Sequence, residues 1–343
     1  MTLAEAAPAG AGRRAAVAGI GLLVSALLLW WSLRGVDLGA VRARIGEARP
    51  LPLAAAVLLA TLMFPLRALR WRLLLDAPGP RPLPFGPAWH ATAVGFMANN
   101  LLPLRAGEVA RALVVSRLAG PPVATALASL AVERLLDGLT LVLCFGLGLV
   151  AARLPAGSSV GGVPLDRLTS GAGALALGAL VAGLVVARMP DAFARLVRRL
   201  VPAPALAERL VALATAVQAG LGALRTPGRL ALAGAASLAV WGAGILSFLV
   251  AARAFGIPLD LAGAAVLQGI VAIGVAVPSS PGYVGAFEAT IVAGLALFAV
   301  PRELAFSYGL AYHATTFVPI TLLGLASLAQ SGLSWGAMRG APA

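Results

Sequence analysis

The chain has 343 residues, of which 60% are hydrophobic and 11% charged, with a mean hydropathy of +0.94. A soluble domain carries about 25% charged residues, so this chain cannot clothe a water-facing surface, and cytosolic enzymes, secreted disulfide scaffolds, disordered tails and coiled coils are excluded. The formal net charge is +13, all 26 basic residues are Arg, and without Lys there is no Walker A, kinase or Schiff-base lysine.

A membrane-spanning helix needs about 20 apolar residues. Arg13 and Arg14 precede an apolar run over 15–33, longer than a signal-peptide core and without a clear cleavage signature, so it reads as the first spanning helix. Further spans are predicted over 51–70, 123–151, 171–188, 229–252 and 303–328. Two more apolar regions are broken. Residues 88–120 break at Pro103, and residues 262–299 break at Pro278-Ser-Ser-Pro-Gly282. The first arms, Ala88–Leu102 and Ala262–Val277, are 15 and 16 residues and fall short of a span, and broken segments at matching places in two halves point to a transporter site. The expected fold is therefore all-α and polytopic, with about six full spans and two re-entrant hairpins, or eight helical spans if the hairpins cross.

Counting loop arginines outside the hairpins places fourteen inside and eight outside when the N-terminus is cytoplasmic. The segment 189–228 reads as amphipathic surface helices broken by Pro202 and Pro204. Residues 1–343 form one integral membrane domain. Within it, 1–151 and 152–343 each read helix, helix, hairpin, helix and start on opposite sides, the pattern of an inverted-topology repeat. The expected location is a bacterial inner membrane. Trp30, Trp31, Trp71 and Trp89 lie near span ends and read as an interfacial belt.

Charged residues within so apolar a chain are candidates for function. The first break carries Asn99 and Asn100, which are the only asparagines, then Arg105, Glu108 and Arg111. Guanidiniums there offer forks for a phosphate, and the following helix offers free N–H groups. Glu133 and Asp137 share one helical face and need a bridging cation from Arg134, Arg105 or Arg111. A structural ion-pair lock reads as well as a substrate role. The second break brings Ser279, Ser280 and Tyr283, followed by Glu288, which is expected to be protonated or to pair with an Arg of the first hairpin. Tyr308, Tyr312 and His313 share a face of the last helix and read as a polar seam. Cys144 is the sole cysteine, and the two histidines, His90 and His313, are far apart, so no metal or cofactor spacing is present. There is no basic stripe interleaved with aromatics, so nucleic acid is not an expected partner.

Three motifs occur in order: Asn100-x-x-Pro103-x-x-x-Gly107-Glu108-x-x-Arg111, Glu133-Arg134-x-x-Asp137, and Pro278-x-Ser-Pro-Gly-x-x-Gly285-x-x-Glu288. Together they resemble the lysylphosphatidylglycerol synthase transmembrane-domain family, the flippase-like region of multiple-peptide-resistance proteins. The resemblance implies movement of an amphiphilic lipid between leaflets: a phospholipid, an aminoacyl-lipid or a lipid-linked sugar. It also implies a separate lipid-modifying transferase as a possible partner. The chain ends soon after the last helix, so the aminoacyltransferase activity of two-domain relatives is not carried over. On this reading Arg105 and Arg111 hold an anionic headgroup, and Asn99, Asn100 and Ser279 supply neutral hydrogen bonds. Glu108 and Glu288 pair with the arginines or carry a coupling proton. Two rivals stand beside it. One is a membrane lipid-modifying enzyme using His90, Glu108, Asp137 and His313; the other is a lipid-binding partner that recruits a transferase through 189–228.

Overall fold

The computed structural model describes residues 11–75, 83–102, 106–152, 189–221, 226–276 and 279–333, with scattered residues between 154 and 181. The fold is all-α apart from a small antiparallel ribbon of β1 (Ser159–Val160) and β2 (Val163–Pro164). The helices are α1 (Ala11–Leu33), α2 (Leu38–Gly46), α3 (Pro50–Leu74), α4 (Phe85–Leu101), α5 (Gly107–Ala119) and α6 (Val123–Ala151). After the ribbon come α7 (Pro190–Leu200), α8 (Pro204–Leu221), α9 (Pro227–Ala254), α10 (Leu261–Gly274), α11 (Ala286–Ala296) and α12 (Arg302–Gln330). Their ends follow local chemistry. Asp37, Thr226 and Asp260 cap α2, α9 and α10 by accepting from Gly39, Arg229 and Gly263 N–H groups. Gly120, with a left-handed φ of 86°, stops α5.

Among the described residues, four helices, α3, α6, α9 and α12, are long and apolar enough to cross a membrane, and α1 and α2, bent by 82°, make a fifth candidate. The chain is thus a multi-pass membrane protein. The arms of the two breaks are shorter: 17 and 13 residues in α4 and α5, 14 and 11 in α10 and α11. At 1.5 Å per residue each falls short of the ~30 Å hydrocarbon core.

The packing pairs off between the halves. Helices α3 and α9 lie against each other at the centre, where Ser247 Oγ donates to the Ala56 carbonyl at 2.7 Å. Helix α4 packs on α12, and α10 packs on α6. Each contact turns on a glycine of the long helix. A Cβ on Gly324 would collide with Met97, and one on Gly148 would meet Ala265 at 3.0 Å. Helix α2 packs on α12 as α8 does on α6.

The structure changes several expected boundaries. The segment 34–50 contains a helix, α2, rather than only a loop. The span expected over 51–70 runs on to Leu74, so Arg67, Arg70 and Arg72 lie on α3 and are not loop charges. Trp71 is fully buried and does not belong to an interfacial belt, whereas Trp30 is 59% exposed. Most of the span expected over 171–188 lies outside the described residues, as do Pro103, Arg105, Val277 and Pro278. Helices α7 and α8 occupy the expected amphipathic segment, with Arg195, Leu196, Arg198, Arg199 and Leu200 all exposed on α7.

Candidate functional site

Helical spacing delivers charge from three helices to one point. On α3, Arg67, Arg70 and Trp71 follow at i, i+3 and i+4, so they share a face. Helix α5 contributes Arg111, and α6 contributes Glu133 and Asp137 one turn apart. Helix α9 adds Ser237 and Trp241, also one turn apart.

Arg111 grips Glu133 through both terminal nitrogens, at 2.7 and 3.0 Å, and its guanidinium lies 4.0 Å over the Trp71 ring. Trp71 is in turn fixed by donating to Ser129 Oγ at 2.9 Å. Arg70 donates to Asp137 Oδ1 at 2.7 Å and to Ser237 Oγ at 3.0 Å, and lies 3.4 Å from Glu133 Oε1. Arg67 reaches Asp137 Oδ2 at 3.3 Å, and Trp241 Nε1 donates to Asp137 Oδ1 at 3.2 Å. Glu133 and Arg70 have no exposed surface, and Arg111 is 3% exposed. Charges so deeply buried are tolerable only when every one is paired.

Arg134 differs from the rest. Its side chain is 42% exposed, yet it touches all three carboxylates of the cluster: Glu108 at 3.2 Å, Glu133 at 3.1 Å and Asp137 at 3.2 Å. Glu108 is 37% exposed beside it. Among the described residues, four guanidiniums meet three carboxylates, an excess of one positive charge whose largest exposure is at Arg134.

The second hairpin comes to the same place. A turn at Pro281–Tyr283 lies against α4, and a Cβ on Gly282 would meet the Asn100 carbonyl at 3.3 Å. Tyr283, half-buried with φ 61°, lies within electrostatic range of Arg134. Ser280 N–H donates to Ser25 Oγ on α1 at 2.7 Å, and Ser280 Oγ donates to the Val284 carbonyl. Ser279 Oγ is buried with no hydrogen-bond partner. Glu288 Oε2 accepts the Gly285 N–H at 2.7 Å, while Oε1 lies 2.6 Å from His313 Nδ1.

These positions redistribute the expected roles. Arg111 is buried, with both terminal nitrogens on Glu133 and Nε without a hydrogen-bond partner, and it presents no exposed face to a headgroup. Asn99 Oδ1 accepts the Gly107 N–H at 2.8 Å across the first break, and Asn100 Nδ2 donates to Thr321 Oγ1 at 3.0 Å. Both asparagines therefore fasten the break. Glu288 meets His313, while Arg111 of the first hairpin meets Glu133 and Arg105 lies outside the described residues. Tyr308 and Tyr312 stack on each other and bond to α9, through the Phe248 carbonyl and Ser247, while His313 turns to α11. His90, Glu108, Asp137 and His313 do not converge, since Glu108 and Asp137 meet at Arg134 and His313 meets Glu288. Among the described residues no three His, Cys, Asp or Glu side chains gather to hold a metal. Sequence reasoning missed Arg67, Arg70, Ser237 and Trp241. The one available signal was the i, i+3 spacing of two arginines at the end of an apolar run.

A family model described as the lysylphosphatidylglycerol synthase TM region matches residues 19–324. Among curated proteins the chain is similar to the protein named glycosyltransferase AglD of Haloferax volcanii, at 30% identity over 314 residues. The match covers 81% of this chain and 48% of that relative, so the chain spans about half the relative's length.

Proposed function

The chain belongs to the lysylphosphatidylglycerol synthase transmembrane-region family, and from that premise we propose that it binds an amphiphilic lipid and carries it between leaflets. The family and the AglD relative support lipid or lipid-linked sugar handling as the general role. The observation that carries the finer reading is Arg134. It is the half-exposed cation of a cluster whose other guanidiniums are buried, and it lies between Glu108 of the first hairpin and, within electrostatic range, Tyr283 of the second. A phosphate or other anionic headgroup would displace Glu108 from Arg134 and take up the excess positive charge. The buried partners Arg67, Arg70, Arg111, Glu133 and Asp137 hold Arg134 in place. The paired contacts of the two halves support residues 1–151 and 152–343 as inverted half-repeats that rock about the α3–α9 contact. The N-terminus is then cytoplasmic and the membrane the inner one.

The test uses purified protein in vesicles containing a fluorescent anionic phospholipid, with leaflet position read by a quencher that does not cross the bilayer. A lost charge-assisted contact costs about 1.5–3 kcal/mol, so Arg134→Ala should slow translocation roughly 10- to 100-fold. Wild-type vesicles that equilibrate lipid no faster than protein-free ones would sink the transport reading.

A second reading rests on the relative, which is named a glycosyltransferase and is about twice the aligned length. Here the chain presents a lipid to a separate transferase, with the exposed face of α7 as the contact. Lipid binding without translocation in the same vesicles would favour it.

A further inference from the structure

The Glu288–His313 pair stands apart from the arginine cluster, and its hydrogen-bond pattern fixes its proton content. His313 Nε2 lies 2.9 Å from the Gly282 carbonyl, which can only accept, so Nε2 carries a proton. Nδ1 lies 2.6 Å from Glu288 Oε1. A bare ring nitrogen and a bare carboxylate would repel at that distance, so one proton lies between them, whichever atom it belongs to. The pair is a one-proton site that is electrically neutral when filled.

Its surroundings make that proton consequential. The side chains are 12% and 2% exposed. The imidazole is stacked on Phe287 at 4.5 Å between ring centres, and the Phe317 ring stands edge-on to it at 6.0 Å. The pair floors a groove of about 230 Å³ walled by Val284, Leu310, Ala314, Phe317 and Val318. An unpaired carboxylate is costly in such apolar surroundings. Among the described residues, no competing acid or base faces the pair from the packed elements. Helix α10 and the described side chains of α1 have no titratable group. On α4 the titratable residue is His90, ten residues before Asn100 and so ~15 Å along the helix. On α12 Tyr312 is bonded to Ser247 on α9, and in the turn Tyr283 lies within electrostatic range of Arg134.

The pair also fastens the turn, beside the bonds of Ser280 to Ser25 and Val284 and of the Tyr283 N–H to the Ser280 carbonyl. Gly282, Tyr283 and Gly285 all have positive φ, at 69°, 61° and 86°. Glu288 holds the Gly285 N–H and His313 holds the Gly282 carbonyl, so the two side chains fasten the turn from both ends. The same turn carries Tyr283, which is within electrostatic range of Arg134, and abuts Asn100.

We propose that Glu288 and His313 form the proton-binding site that couples lipid movement to a transmembrane proton gradient. Loss of the Nδ1–Oε1 proton to water leaves a neutral imidazole facing a carboxylate, and the two separate. The hairpin tip is then freed from α12, and Tyr283 and Gly282 shift against the headgroup site. This rests on the transport reading given above and adds the ion and the site.

The experiment is the same vesicle assay with a pH gradient imposed, together with a trapped pH-sensitive dye. In wild-type protein the gradient should drive the anionic phospholipid to one leaflet, and an imposed lipid asymmetry should move protons. Glu288→Gln and His313→Asn should lose the gradient-driven asymmetry. Wild-type protein that translocates lipid but ignores the gradient, with no proton movement, overturns the coupling and leaves the transport reading intact. Variants that keep the gradient response overturn it as well. If wild-type protein translocates no lipid under any gradient, the transport reading fails and the coupling falls with it. Because the decisive arms use wild-type protein, variants that fail to fold do not rescue the proposal.

Discussion

Glu133 is the most constrained side chain of the charged cluster, with no exposure and contacts to Arg70, Arg111 and Arg134. Removing its charge would strand buried guanidiniums, and breaking such a pair costs about 3–5 kcal/mol. Glu133→Gln should therefore lower thermal stability in detergent by that order. Arg134 is half-exposed, so Arg134→Ala should cost about 1 kcal/mol or less while lowering lipid translocation as given above. Comparable stability losses in both variants would place Arg134 in the structural lock. The motif Glu133-Arg134-x-x-Asp137 was legible in the sequence, but the division of labour within it was not. Burial depends on what α3 and α9 bring against α6, and a linear pattern does not contain that.

Among the elements, the first hairpin shows how small residues set geometry. Gly95 of α4 and Gly107 of α5 face each other so closely that a Cβ on Gly107 would strike the Gly95 carbonyl. Asn99 then reaches across the break to the Gly107 N–H. Gly107→Ala should force α4 and α5 apart, at about 1–3 kcal/mol for overpacking. It should also displace Glu108, which is next in the chain. Gly86→Ala, where a Cβ would meet nothing within 4 Å, is the matched control. Equal melting temperatures for the two variants would contradict the close crossing. The apolar arms and their breaks were readable from hydropathy and from Pro and Gly, and several observed ends lie within a few residues of the sequence reading. The continuation of α3 past residue 70 was not read, because arginine at the end of an apolar run looks like a flanking charge. Only its partners show that Arg67 and Arg70 turn inward.

On the scale of the molecule, inverted half-repeats require equivalent helices to point in opposite directions across the membrane. Arg117 near the end of α5 and Arg253 near the end of α9 are both exposed. With Cys144 replaced by Ser, a cysteine at 253 should react with a membrane-impermeant thiol reagent in intact cells. A cysteine at 117 should react only after the cells are opened. Reaction of both, or of neither, from one side would remove the inverted arrangement and the N-terminal orientation with it.

Composition and hydropathy by themselves determined that this is a multi-pass helical membrane protein, because the hydrocarbon core imposes length and polarity on any chain that crosses it. The order of three polar motifs was enough to mark the family. Only the tertiary structure decided which charges are locked and which are offered. It spent Arg111 on Glu133, left Arg134 half-open, and gave Glu288 a histidine 25 residues away. In low dielectric a charge takes its role from its nearest partner, and partners from different helices are chosen by packing.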